Sequence, residues 1–172
     1  MLDYLIKNAR IIDGSGAPSY MGNVGIQNGK LVLLQGEAPA EHTIDAAGRC
    51  LAPGFIDAHS HGDLILGSED AYLFKTTQGV TTEIVGQCGL SMAPVMPENL
   101  AATQNMLSMG TTWFPEDMKN WRSFARYLEY ADAQKLTANA KMYIGHSTLR
   151  IAVIGREHRP STDKELDTMK GI

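Results

Sequence analysis

The sequence predicts an α/β chain in two parts: short strands over residues 1–50, then strand–helix–strand units over residues 51–172. Three observations predict it. Apolar residues alternate with polar ones, or fall in short β-branched runs, through the first fifty positions. Beyond Cys50 the period changes, and stripes of helical spacing separate runs such as Val80-Thr81-Thr82-Glu83-Ile84-Val85. Glycine and proline punctuate the changeovers, with Pro53-Gly54 turning the chain into its second part and Gly79 closing the first helix there.

In the first part, Leu2, Tyr4 and Ile6 alternate with polar neighbours, and Ile11-Ile12 runs into the turn Asp13-Gly14-Ser15-Gly16. Val24-Gly25-Ile26 leads to Asn28-Gly29, a two-residue hairpin signal because both positions tolerate positive φ. Lys30 to Leu34 is the return strand, and His42 to Ala46 is a further short strand with His42 solvated.

The second part opens with a strand whose expected buried residues are Leu51, Phe55 and Ile56, and which closes on His59-Ser60-His61-Gly62-Asp63. Alternation along a strand puts His59 and His61 on one side, with Asp57 and Asp63 if the strand persists. Two neutral imidazoles aimed at one point suit a borderline metal such as zinc, against the bland alternative of a chance pair among five histidines. Ser68 is expected to cap a helix, with Glu69 and Asp70 at its positive end and Ala71, Tyr72, Phe74 and Lys75 continuing it. Val80 to Val85 follows as a strand, and strand–helix–strand at this spacing makes the two strands parallel.

That second strand runs into Gly86-Gln87-Cys88-Gly89, at the edge where His59 and His61 sit. Cys88 has two readings, a thiolate metal ligand or a buried inert cysteine. Cys50 has no such context and is expected in the core. A helix from Pro97 through Met106 and Met109 to Gly110 uses its methionines as core filler. Thr111 to Asp117 is a loop, either a lid or substrate wall or simple packing. Asn120 is expected to cap a helix with the core stripe Trp121, Phe124, Ala125 and Leu128. Ala140 to Ile144 is the third strand, ending on Gly145-His146-Ser147-Thr148-Leu149-Arg150. His146 at that edge either reaches substrate or the groups behind a metal, or simply holds a loop. Arg150 would attract a carboxylate or form a structural ion pair. His158 lies in a charged, solvated loop, and Thr162-Asp163-Lys164-Glu165 is a capping box for a last helix.

Composition narrows the function classes. With 44% hydrophobic residues over 172 positions there is enough apolar material for a core, and a net charge of −4 without any basic run argues against nucleic-acid binding. No apolar stretch approaches the roughly 20 residues of a membrane span, and Met1 to Arg10 lacks a signal-peptide pattern. Two cysteines are too few for a disulfide framework, so a cytoplasmic protein with free thiols is expected.

Three phrases carry a resemblance: G-F-I-D-x-H-x-H at 54–61, G-V-T-T-x-x-V-G-Q-C-G-L-S at 79–91 and G-H-S-T-L-R at 145–150. The first resembles the opening barrel strand of the amidohydrolase superfamily. The other two resemble the D-aminoacylase (N-acyl-D-amino-acid deacylase) family within it, and the I-D-A-x-G phrase at 44–48 resembles the small β-sandwich that flanks these barrels. The resemblance implies residues 1–50 as the first part of that sandwich. It implies 51–172 as about three βα units of a metal-dependent hydrolase TIM barrel, which normally needs roughly 250 residues. It further implies His59, His61 and Cys88 as metal ligands, the cysteine serving zinc where many relatives employ a carboxylated lysine. The implied activity is zinc-dependent hydrolysis of the amide of N-acyl-D-amino acids to a carboxylate and a D-amino acid. In the family the tight zinc is held by the strand-two cysteine with histidines from later strands, and an aspartate of the last strand is the acid/base. His59 and His61 would serve a second, weaker metal position. The chain is therefore expected to be an amino-terminal piece, inactive alone and needing the C-terminal half of the barrel. The alternatives are an amidohydrolase of the dihydroorotase or dihydropyrimidinase type, against which Cys88 argues, and a non-catalytic relic or scaffold.

Overall fold

The computed structural model describes residues 1–66, 73–134 and 136–172. Two compact units divide the chain, Met1–Pro53 and Gly54–Ile172.

The first unit is one sheet of β1 (Leu2–Ile11), β2 (Tyr20–Gln27), β3 (Lys30–Leu34), β4 (Ala40–Asp45) and β5 (Cys50–Leu51). Strand order is β3-β2-β1-β4, with β5 also on β1. The hairpin between β2 and β3 turns at Asn28 and Gly29, both at positive φ (51° and 71°), the geometry expected of a primed two-residue turn. β1 pairs in parallel with β4 through Leu2–Lys7 and with β5 through Arg10–Ile11. Between those stretches Asn8 takes φ 56°, and its side-chain amide donates to both oxygens of Asp45 at 3.1 Å. Leu5, Ala9, Ile11 and Val24 are buried. Cys50, expected in the core, is exposed. β5 is a two-residue strand, so only one of its side chains turns inward, and Leu51 takes that place against Ile11 and its neighbours.

The second unit holds a parallel sheet, β6 (Phe55–Asp57), β7 (Val80–Val85) and β8 (Asn139–Met142), in the order β6-β7-β8. Around it lie a 3₁₀ turn (Gly62–Ile65) and helices α1 (Leu73–Thr76), α2 (Leu100–Leu107), α3 (Phe124–Ala133), α4 (His146–Ile154) and α5 (Asp163–Gly171). The parallel βαβ order follows expectation. The expectation of a buried first strand does not hold: Phe55 is 62% and Ile56 66% exposed. β6 is a short strand that, among the described residues, pairs with β7 alone. It stops at Asp57, so His59 and His61 stand in an irregular segment beyond it, and Asp63 lies buried in the 3₁₀ turn. The expected cap and first turn of a helix at Ser68 to Tyr72 fall outside the described residues.

The core of this unit is built largely in the β7–β8 crossover: Met92, Val95, Leu107, Met118, Trp121, Tyr127 and Ala131 are buried together, with Met142 of β8 packed against them. Trp113 and Phe114 pack half-buried on the same cluster, which favours plain loop packing over a lid. Met106 joins it too, whereas Met109 is 77% exposed, past the end of α2 at Leu107. α3 begins three residues later than expected: Asn120 closes a 3₁₀ turn, and Ser123 is the cap, its hydroxyl accepting from the Arg126 backbone N–H. That start rotates the inward stripe onto Phe124, Tyr127 and Ala131, and leaves Ala125 and Leu128 exposed. The capping box at Thr162 and Glu165 is present in full.

Candidate metal centre

β6 and β7 run in parallel, so the residues that follow each of them emerge at one edge of the sheet. On leaving β6, the His59 backbone N–H donates to Asp57 Oδ1 (3.2 Å) and the Ser60 N–H to the Ile84 carbonyl (3.0 Å), which keeps the segment alongside β7. On leaving β7 the chain turns through Gly86, Cys88 and Gly89, all at positive φ (81°, 55° and 78°). The Gly89 carbonyl accepts from the Ser147 and Thr148 backbone N–H groups (2.9 and 3.1 Å), anchoring this turn on the first residues of α4.

The two exits bring their side chains together. Cys88 Sγ lies 3.2 Å from His59 Nε2. The His59 and His61 rings meet edge-on, centroids 5.8 Å apart. One donor atom from each of His59, His61 and Cys88 falls within 4.8 Å of the others. His61 Nδ1 is buried with no hydrogen-bond partner among the described residues. Donors sharing one tetrahedral zinc stand about 3.3–3.6 Å apart, given Zn–N near 2.0 Å and Zn–S near 2.3 Å. Cys88 Sγ and His59 Nε2, 3.2 Å apart, lie just inside that separation, and His61 offers a donor atom within 4.8 Å of both. A thiolate with two imidazoles is a zinc-type donor set, and the fit is good.

Behind the donors, Asp63 is buried, and burial pushes its carboxyl up to about 7, with the Glu83 charge adding to the rise and backbone N–H groups of Asp63, Gly86 and Met92 opposing it. His146 opens α4 with its side chain exposed and is not in the donor cluster. Arg150 points elsewhere, its Nη2 donating to the Glu157 carbonyl (3.2 Å) and to that of Arg159. It therefore ties down the α4–α5 connection through carbonyls, neither as an ion pair nor toward the donors. Sequence reasoning passed over Ser60, Lys75 and Glu83, which form a polar cluster behind His59 and His61. The available signal was a glutamate inside a β-branched run, which a strand interior does not ordinarily accept.

Over residues 42–172 the sequence matches the amidohydrolase family model. The chain belongs to the amidohydrolase family. Among curated amidohydrolase relatives, it is 34% identical over 172 residues to an N-acyl-D-aspartate deacylase and to a D-aminoacylase of Alcaligenes xylosoxydans xylosoxydans. Each alignment covers 99% of this chain but only 33% and 34% of those proteins, so the chain spans about a third of their length. The crystal structure of N-acyl-D-glutamate deacylase from Bordetella bronchiseptica, complexed with zinc and a phosphonate inhibitor, superposes with a TM-score of 0.81 at 35% identity, covering 99% of this chain and 35% of that one. The exposed first-strand residues are not at odds with this likeness, which also extends over a third of the solved protein.

Proposed function

We propose that this chain supplies the first metal-binding rim of an N-acyl-D-amino-acid deacylase, an enzyme that hydrolyses the amide to a carboxylate and a D-amino acid. The observation that carries the reading is the convergence of Cys88 Sγ with the His59 and His61 imidazoles within 4.8 Å, in a chain 34% identical to such deacylases. Cys88, His59 and His61 would hold a zinc ion, which when bound would supply Lewis-acid polarisation of the amide carbonyl and activation of water at neutral pH. The chain's own contribution is to hold that ion. Cys88 binds as the thiolate, favoured by the cation beside it. His59 would offer Nε2, the nitrogen that faces Cys88. The proton bound for the leaving nitrogen is assigned to an aspartate of a later barrel strand, as in the family pattern, and further imidazoles come from there too.

On this reading Met1–Pro53 is the first part of a flanking β-sandwich and Gly54–Ile172 the first three βα units of the barrel. The remaining strands are the missing partner. They would pair with the outer edges of β6 and β8 and cover Phe55, Ile56, Tyr143 and Ile144, which are exposed. Both cysteines are free and exposed, which suits a reducing cytoplasm, and no described helix is long and apolar enough to cross a membrane. The test compares N-acetyl-D-methionine with N-acetyl-L-methionine on the full-length protein, with zinc counted per chain. Turnover of the D-isomer alone, with zinc that the Cys88→Ala variant loses, is expected. Equal or absent turnover of both isomers overturns the substrate assignment, and unchanged zinc in Cys88→Ala overturns the metal site. The chain alone is expected to bind zinc substoichiometrically and to turn over neither.

A further inference from the structure

We propose that Glu83, acting through the hydroxyl of Ser60, is a positioning residue that sets the orientation of the two metal-binding imidazoles. The proposal rests on the metal reading above and deepens it. In the β6–β7 ladder Asp57 and Glu83 are register partners, so two carboxylates stand side by side on the same face of the sheet. Like charges directly opposite one another destabilise a strand pair. Glu83 is moreover completely buried, where a carboxylate must be paired and hydrogen-bonded to be tolerated. Lys75 of α1 supplies the pairing. Its ammonium contacts Asp57 Oδ2, lies 3.9 Å from Glu83 Oε1, and donates to Ser60 Oγ at 3.3 Å.

Ser60 is the single residue between the two imidazoles and is itself buried. Its hydroxyl donates to Glu83 Oε2 at 2.5 Å and accepts from the Gly62 backbone N–H at 3.3 Å as well as from Lys75. A serine hydroxyl has one hydrogen and two lone pairs, so these three contacts use all of it. With the Ser60 N–H on the Ile84 carbonyl and the His59 N–H on Asp57, the His59–His61 segment is held at both its main chain and its central side chain. Stability alone gives little reason for this cluster, because an apolar side chain in place of a buried ion pair is often neutral or better. What the cluster adds is a fixed rotation of the backbone that carries the imidazoles. Neither Glu83 nor Ser60 belongs to the donor group.

The test uses the full-length protein with Ser60→Ala, Ser60→Thr and Glu83→Gln. Zinc affinity is measured by competition with a chromophoric chelator, and cobalt-loaded samples report the thiolate-to-cobalt absorption band. Ser60→Ala is expected to weaken zinc binding about 10–100-fold, the usual cost of losing a group that orients a metal ligand, and to shift the cobalt band. Ser60→Thr, which keeps a hydroxyl, is expected to restore both. Thermal unfolding of the metal-free variants separates this from general destabilisation, which would lower the melting temperature and leave the affinity of the folded fraction unchanged. If Ser60→Ala does not fold, the Glu83→Gln protein gives the same reading: weakened zinc binding in a folded protein. Zinc affinity within twofold of the parent with an unmoved cobalt band, or no rescue by threonine, overturns the proposal. Zinc content insensitive to both His59→Ala and Cys88→Ala instead refutes the metal reading beneath it, whatever Ser60 does.

Discussion

Replacing Gly86 by alanine tests how the Cys88 turn is seated. Gly86 has φ +81°, and a Cβ built there would lie 2.1 Å from the Tyr143 carbonyl oxygen and 2.8 Å from its carbon. The left-handed backbone alone costs an L-residue about 1–2 kcal/mol. The clash is with main chain, so it is relieved only if the end of β8 retreats by roughly an ångström, to an ordinary carbon–oxygen contact. That retreat breaks the bond from the Tyr143 N–H to the Val85 carbonyl, 3.1 Å long, worth about 1 kcal/mol. A total of about 2–3 kcal/mol follows. Gly79→Ala is the internal control: at φ +87° it suffers the same backbone penalty, but its nearest new contact is an ordinary 3.4 Å from the Phe55 ring. Urea unfolding followed by tryptophan fluorescence should therefore rank Gly86→Ala below Gly79→Ala and both below the parent. Equal midpoints for the two variants would refute the claim that the close approach of Gly86, just past β7, to Tyr143, just past β8, demands glycine there.

Three further outcomes are expected. Trp121→Ala should cost about 3–5 kcal/mol in the same unfolding assay, because the indole is 1% exposed, packs on Tyr127 and Tyr130, and donates from Nε1 to Asp117. Thr162→Ala should lower stability by about 1 kcal/mol and speed amide exchange in the first turn of α5, since the Thr162 hydroxyl accepts from the Glu165 N–H. The Arg159 guanidinium and the Thr162 N–H and hydroxyl hold the Glu165 carboxyl far below its ordinary value of 4.5. A depressed carboxylate stabilises the fold at pH above that ordinary value and loses its effect progressively as pH falls toward the depressed one. Amide exchange in α5 should accordingly accelerate below pH 4.5 relative to the rest of the unit, and Glu165→Gln should abolish the relative acceleration.

Elements whose sequence signal is local were legible. The Asn28-Gly29 hairpin, the β-branched run of β7 and the capping box at Thr162 each state their geometry within a few residues. His59, His61 and Cys88 were singled out by their flanking phrases, and the structure brings their ligand-type atoms within 4.8 Å of one another. The route by which they meet was not. Strand alternation suggested a shared side for His59 and His61, yet β6 ends at Asp57 and hydrogen bonds to β7 direct the segment instead. Burial was the poorer guide where a residue's face depends on where its element starts: α3 begins at Phe124 rather than beside Asn120, and the inward position passes from Leu128 to Tyr127. The polar cluster at Glu83 was illegible for a related reason. Its members come from two strands, a helix and the segment after β6, and no one-dimensional spacing relates them.

The long excursion from Val85 to Asn139 is more than a connector. Only a few residues past Cys88 the chain enters Met92, Ala93 and Val95, each with no accessible surface, locked among Leu107, Trp121 and Tyr127. The thiol thus hangs from a mast whose foot is set in that packing. If the centre binds an ion as proposed, substitutions in α2 and α3 that leave the molecule folded would be felt as retuned ion affinity, a handle on the centre that does not touch it.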